Sequence, residues 1–231
     1  ENDRQVEGAM RELRSLDASL FAVQEITDPA RFEREARRAL GEEWRFVAIE
    51  EGTHRTGVLF DGDALELEWS RMHRATRIDG RGKPTLEVRL RREARSLRVF
   101  VAHLKAGGEH APLRRRQMQA LAPIVRDAVE SGDEVMVLGD FNATGDEDRA
   151  SLARFGQEAS LTWASRELGC TSYWNRNDGC LGVALDHVFT AATPRDVSAR
   201  GPCEREGCAM RDRCPAFHRE VSDHCPVSVD F

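Results

Sequence analysis

Val135-Met136-Val137-Leu138-Gly139-Asp140-Phe141-Asn142 is an apolar run that ends on an acid and an amide, and Ser222-Asp223-His224-Cys225-Pro226-Val227 sets an acid and an imidazole before the last apolar run of the chain. In an extended backbone the two-residue spacing puts Asp140 and Asn142 on one side and turns Phe141 toward a core. Gly139 allows the backbone to approach a ligand closely. Polar ligand groups delivered at apolar strand tips are how a fold presents a metal and a base to a phosphate, so hydrolytic chemistry is expected. A carboxylate beside a carboxamide oxygen is hard-ligand chemistry, suited to Mg²⁺, Mn²⁺ or Ca²⁺ rather than zinc.

Working outward, Val6, Ala9, Met10, Leu13 and Leu16 recur at helical spacing and predict a helix over 4–16. A buried strand over Leu20 to Ile26 carries Glu25 near its tip, and Pro29 opens a helix to about Leu40. Further strands are predicted over 44–49, 57–60, 64–69, 85–91, 97–104, 134–139, 185–190 and 227–231, with helices over 112–130 and 147–158. Pro123 is expected to bend the first of these helices near Gln119. The irregular interleaving, with strand pairs joined directly, excludes a simple doubly wound parallel sheet. It favours an α/β fold of two mixed sheets packed face to face with helices outside. No linker-like stretch divides the 231 residues, which predicts one domain over 1–231, and no apolar run approaches the roughly 18–20 residues of a membrane span.

The net charge of −6 conceals an asymmetry. Between Ser70 and Arg126 stand fifteen basic residues and four acidic ones, and Lys83 and Lys105 are the only lysines in the chain. Arginine suits phosphate because its planar fork donates two parallel hydrogen bonds. The block predicts a polyanionic ligand, and its Arg71, Arg74, Arg114, Arg115 and Arg116, with Arg55 ahead of it, are the candidate substrate-binding residues. Cys170, Cys180, Cys203, Cys208 and Cys214 lie in Gly-rich or polar surroundings, which suggests disulfides and a secreted or periplasmic location. Cys203, Cys208, Cys214 and His218 form an alternative zinc set without the short knuckle usual for one, and Cys225 reads as a small buried hydrophobe. Six cysteines allow fifteen complete pairings, so connectivity is open.

Three more polar residues interrupt apolar strands. Glu25 either caps the following helix or binds metal. His103 closes Val99-Phe100-Val101-Ala102-His103, and Asp186 sits within Leu185-Asp186-His187-Val188-Phe189. A carboxylate inside a buried strand is costly without a partner, and His224 is the candidate.

In order, Phe21 to Ile26, Thr56 to Phe60, Val101 to Leu104, Leu138 to Asn142, Leu185 to Phe189 and Ser222 to Val227 resemble the motif blocks of the endonuclease/exonuclease/phosphatase superfamily, across nearly the whole chain. The resemblance implies a four-layer α/β sandwich whose strand tips converge on one metal-dependent phosphodiester site. It implies Glu25 as principal Mg²⁺ ligand with Asp223 close to the metal, and Asp140 and Asn142 orienting or deprotonating water and holding phosphate. It further implies His224, aligned by Asp186, as base or transition-state stabiliser, and His103 as a second phosphate-binding or proton-transfer residue. Family members usually begin with a strand bearing a metal-site Asn. This chain starts in the helix that follows, so the domain is expected to lack that strand here.

The leading expectation is a nuclease whose partner is nucleic acid, DNA or RNA, with no stable protein partner. A phosphatase or phospholipase on a small or lipid phosphoester is the alternative, kept open by the overall acidity. A catalytically silent binding module is a third, disfavoured because Glu25, Asp140, Asn142, Asp186, Asp223 and His224 are all present.

Overall fold

The structure, a computed structural model, describes residues 3–231. Helix α1 (Asp3–Ser15) leads into β1 (Leu20–Ile26), α2 (Pro29–Leu40), β2 (Trp44–Ala48), β3 (Arg55–Asp61), β4 (Glu66–His73), β5 (Thr85–Arg92) and β6 (Arg95–His103). Then follow α3 (Ala111–Glu130), β7 (Glu134–Asp140), α4 (Asp146–Glu158), β8 (Thr162–Trp163), β9 (Ser172–Arg176), β10 (Gly179–Val183) and β11 (Asp186–Thr190). The chain closes with β12 (Asp196–Ala199), α5 (Pro202–Glu206), α6 (Ala216–Glu220) and β13 (Val227–Asp230).

The two large sheets have the orders β1-β3-β2 and β4-β5-β6-β7-β11-β8, the second mixed because β6 and β7 run parallel, and β9–β10 and β12–β13 form two-stranded sheets beside them. Period-two alternation decides which side of each sheet a residue joins. Leu20 and Ala22 of β1, Val58 and Phe60 of β3, Leu86, Val88 and Leu90 of β5, and Val99 and Val101 of β6 fill the space between the sheets. Their sequence neighbours face outward: Phe21, Val23 and Leu59 pack with Phe32 and Ala36 of α2 and Met10 of α1. Phe100, Ala102 and Val137 pack with Leu121 and Val125 of α3 and with Leu152 and Phe155 of α4. Four layers result, helices, sheet, sheet, helices, as the α/β sandwich expectation requires. Each fully buried side chain of this size contributes roughly 1.5–3 kcal/mol.

Local signals explain the boundaries. Asp28 caps α2 by accepting a hydrogen bond from the Arg31 N–H at 3.0 Å, with Pro29 in the first turn. That cap leaves Glu25 free of the capping role. Helix α3 runs continuously through Pro123, which faces solvent.

The segment over 160–226 departs from the sequence reading. It contains β8, the β9–β10 hairpin, β12, α5 and α6, all short and none predicted. Its core is small: Cys170, Tyr173, Cys180, Cys203 and Cys225 are buried together, with Ala199 against them. Disulfides join Cys170 to Cys208, Cys180 to Cys214 and Cys203 to Cys225, and no free cysteine remains among the described residues. Cys225 is therefore bonded as well as buried, and the alternative zinc set is consumed by the pairings. Chain-entropy reasoning assigns each cross-link about 3–4 kcal/mol at these loop lengths. Unreduced, denatured protein should show no reactive thiol, and replacing Cys203 and Cys225 together with serine should lower unfolding free energy by about 3 kcal/mol in a denaturant melt.

Candidate active site

Strand register brings the site together. His103 pairs with Asp140 across β6 and β7, and Asp186 pairs with Asp140 across β7 and β11. Three polar residues separated by tens of positions thus stand abreast on adjacent strands. Gly139 has φ +134, and a side chain there would collide with the Ala102 carbonyl of β6. The close approach that this glycine permits is therefore to the neighbouring strand, not to a ligand. Phe141 is fully buried, as expected.

Asn142 corrects the extended-backbone expectation. Its φ is +50, so the chain turns back at β7's end. Its backbone N–H donates to Asp140 Oδ1 at 2.8 Å, and its side-chain amide donates to Asp140 Oδ2 at 2.7 Å and to the Leu104 carbonyl at 3.1 Å. Asn142 thus clamps Asp140. Burial, together with the Asp186 charge, pushes the Asp140 carboxyl up to about 7, against the opposing pull of His224 and of the Asn142 N–H.

His224 Nδ1 lies 2.8 Å from Asp186 Oδ2, the predicted pair. Thr171, which sequence reasoning missed, completes it. Its hydroxyl donates to Asp186 Oδ2 at 2.8 Å and accepts from the backbone N–H groups of Leu185 and Asp186. A β-bridge between Ser172 and His224 and a hydrogen bond from the Cys225 N–H to the Thr171 carbonyl, 2.7 Å, hold the two segments side by side. Cys170 precedes Thr171 and Cys225 follows His224, so two of the three disulfides attach directly beside this pair. Burial alone would lower the His224 pKa. The Asp186 charge and hydrogen bond, with Asp140 and Asp223 nearby, outweigh it and carry the imidazole up to about 10.

Glu25 sits on a bulge. The β1–β3 register slips between Val23 and Ile26, and Glu25 has φ +61. Its carboxylate is exposed and lines a cavity of about 430 Å³ with His54, Arg81, Lys83, His103 and Lys105. His103 Nε2 is 3.6 Å from Asp140 Oδ2 and 3.9 Å from Glu25 Oε1, and its Nδ1 is 2.9 Å from Lys83 Nζ. Burial first, then the Lys83 charge, push His103 down to about 3. Asp223 is exposed on the loop before β13, and its carbonyl accepts from the Tyr173 N–H.

These groups fit a divalent cation of the hard type. Asp140 is raised by burial first and then by the neighbouring Asp186 carboxylate, a cost that a cation would relieve, and Glu25 offers exposed oxygen. Among the described residues no three His, Cys, Asp or Glu side chains form a closed cage. Mg²⁺ does not need one, since it keeps waters and uses one or two carboxylates with substrate phosphates.

The arginine candidates behave differently from the expectation. Arg114 is fully buried, in a bidentate pair with Asp148 at 2.8 and 2.6 Å, and donates to the Lys105 and Gly107 carbonyls. It therefore cannot touch a polyanion, and fixes instead the loop that carries Lys105. Arg74 pairs with Glu51, Arg115 with Glu147 and Arg116 with Asp79, while Arg71 lies over Trp69 and Arg55 bonds the Gly52 carbonyl. None of these lines the cavity. The cations that do are Arg81 and both lysines. Rarity was the available signal: in a chain with two lysines, both are at the site.

The family model described as "Endonuclease/Exonuclease/phosphatase family" matches residues 1–224. No curated protein matches the chain. Among solved structures, D. rerio TDP2 complexed with a single-strand DNA product is similar at TM-score 0.75 and 17% identity, covering 98% of this chain and 90% of that one. The human Nocturnin catalytic domain with bound sulfate gives 0.70 and 17%, covering 99% and 87%. The mannosyl-6-phosphatase Bt3783 of Bacteroides thetaiotaomicron VPI-5482 gives 0.70 and 12%, covering 99% and 91%. At these identities the likeness is one of fold.

Two outcomes follow from the geometry. Removing Arg114 leaves Asp148 as a buried unpaired charge, so Arg114→Ala should cost about 3–5 kcal/mol of stability in a denaturant melt. In metal-free protein an NMR titration should find His224 protonated through pH 8. Because its folded pKa is raised, the stability it contributes is complete below its unfolded value near 6.5 and is lost as pH rises through about 10. Asp186→Asn should bring that pKa down and remove the alkaline loss.

Proposed function

The chain belongs to the endonuclease/exonuclease/phosphatase family, and on that premise we propose that it is a metal-dependent phosphodiester hydrolase acting on nucleic acid with water as nucleophile. The observation that carries this reading is the row of His103, Asp140 and Asp186 on three adjacent strands, with His224 bonded to Asp186. Asp186 holds Nδ1 of His224, which leaves Nε2 to face a phosphate oxygen. Asp140, fixed by Asn142, is the carboxylate for orienting or deprotonating the attacking water. Glu25 and Asp223 are the residues that would hold Mg²⁺, with Mn²⁺ or Ca²⁺ as substitutes. When bound, the ion supplies positive charge to the non-bridging oxygens of the phosphate. Three disulfides support an oxidising compartment, secreted or periplasmic, and no helix among the described residues is long and apolar enough to cross a membrane.

Nucleic acid is supported by the cationic lining of the cavity and by the DNA product bound to the D. rerio relative. A specific observation favours a second reading. Most of the arginine block is already paired with acids, and a cavity of about 430 Å³ suits one small or lipid phosphoester. Salt dependence separates the two readings.

If a nucleic acid is held mainly by Arg81, Lys83 and Lys105, log KM should change with log salt with a slope magnitude of about 2–3. Lys105→Ala should then raise KM with little change in kcat. The protein is to be incubated with plasmid, RNA, phosphoinositides and sphingomyelin, each with Mg²⁺ and with EDTA. EDTA should abolish hydrolysis, and Glu25→Ala and His224→Ala should each cost roughly 10²–10⁴-fold in rate. Cleavage of lipid phosphoester alone would transfer the assignment to the second reading.

A further inference from the structure

We propose that Lys83 is a positioning residue that fixes the His103 ring as its Nε2–H tautomer, so that this histidine serves the site as a neutral hydrogen-bond donor to a phosphate oxygen and not as a proton acceptor. The inference deepens the phosphodiesterase reading and rests on it for the word phosphate alone.

Lys83 Nζ is 2.9 Å from His103 Nδ1. An ammonium has three protons and no acceptor, so Nδ1 must take the accepting role and the ring proton must sit on Nε2. The other side of the ring agrees with this. Nε2 lies toward two carboxyl groups, Asp140 Oδ2 at 3.6 Å and Glu25 Oε1 at 3.9 Å. A bare Nε2 there would set its lone pair against two carboxylates. Burial lowers the Lys83 pKa, and the Glu25 and Asp140 charges oppose that shift in favour of the ammonium.

The lysine is held in place by buried polar groups. Thr76 is fully buried, and its hydroxyl lies 3.5 Å from the Lys83 carbonyl and accepts from the Thr85 N–H at 2.9 Å. Gln117, also fully buried, donates to the Thr76 carbonyl and accepts from the Lys105 N–H, both at 3.0 Å. Gly82 has φ +82 and packs on the Gln117 amide. These contacts tie the backbone around Lys83 to that of Lys105, so both lysines are placed from one buried amide.

Residue choice points the same way. In a chain with thirty-two arginines and two lysines, a compact ammonium stands at the position that must offer one donor to one ring nitrogen. A guanidinium carries five donors in a rigid fork, more than Nδ1 can accept. The ammonium keeps two protons after serving the ring.

The experiment is a long-range proton–nitrogen correlation on the full chain, labelled with ¹⁵N-histidine, at pH 7 in magnesium buffer. The His103 signals are identified by their loss in His103→Gln. The wild type should show Nε2 protonated and Nδ1 bare. Lys83→Met should convert His103 to a mixture of tautomers or to Nδ1–H, Lys83→Gln should retain Nε2–H through its amide donor, and Lys105→Met should leave the signals in place. On any phosphoester that the wild type cleaves, Lys83→Met should lower kcat roughly 10–100-fold, with partial recovery in Lys83→Gln. An Nδ1–H tautomer in the wild type would overturn the proposal without needing any variant to fold. So would a response to Lys105→Met equal to that of Lys83→Met, which would assign the effect to general charge. Absence of hydrolysis in the wild type would instead refute the functional reading, because the tautomer is read without substrate.

Discussion

Asp140 carries a carboxylate into the end of a buried strand, where burial and the Asp186 charge penalise its ionisation and the Asn142 N–H and His224 oppose them. Asn142 supplies two hydrogen bonds from a left-handed turn that few residues adopt readily. His103 and Asp186 flank it by register, and His224 stands behind Asp186 as the positive partner. Without the Asn142 clamp Asp140 would take up a proton more readily still, and the electrostatics that raise His224 would weaken with it.

That arrangement needs His224 in one place, and the segment bearing it has little apolar surface to order itself. Conformational entropy costs roughly 1–2 kcal/mol per residue for the backbone alone, which the small cluster around Tyr173 does not offset by burial. The disulfides at Cys170 and Cys225 restrict the unfolded chain instead, and they do so one residue away from Thr171 and His224. The placement of Thr171 and His224 is held by covalent cross-links where packing is thin.

Charge is used in two ways. Most arginines are spent on local ion pairs with acids across strands and between helices, at the surface and, for Arg114, in the interior. Such surface pairs stabilise little. The two lysines are reserved for the cavity. Counting basic residues along the chain therefore overstates the field available to a ligand, since the sum does not show which carboxylate each arginine already faces.

Alternation and helical spacing determined the order and extent of the long elements, because each sheet buries both faces and each helix one, and those patterns are local. They also marked Glu25, His103, Asp140 and Asp186 as polar interruptions of apolar strands, and the pairing of Asp186 with His224 followed from the cost of a buried carboxylate. Tertiary structure alone decided that Asn142 donates to Asp140, that Thr171 anchors Asp186 and that Arg114 is interior. Each depends on a partner tens of residues away or on a turn that leaves no periodic trace. The short elements over 160–226 and the disulfide connectivity were likewise beyond a local reading, because cross-links rather than hydrophobic periodicity order that segment.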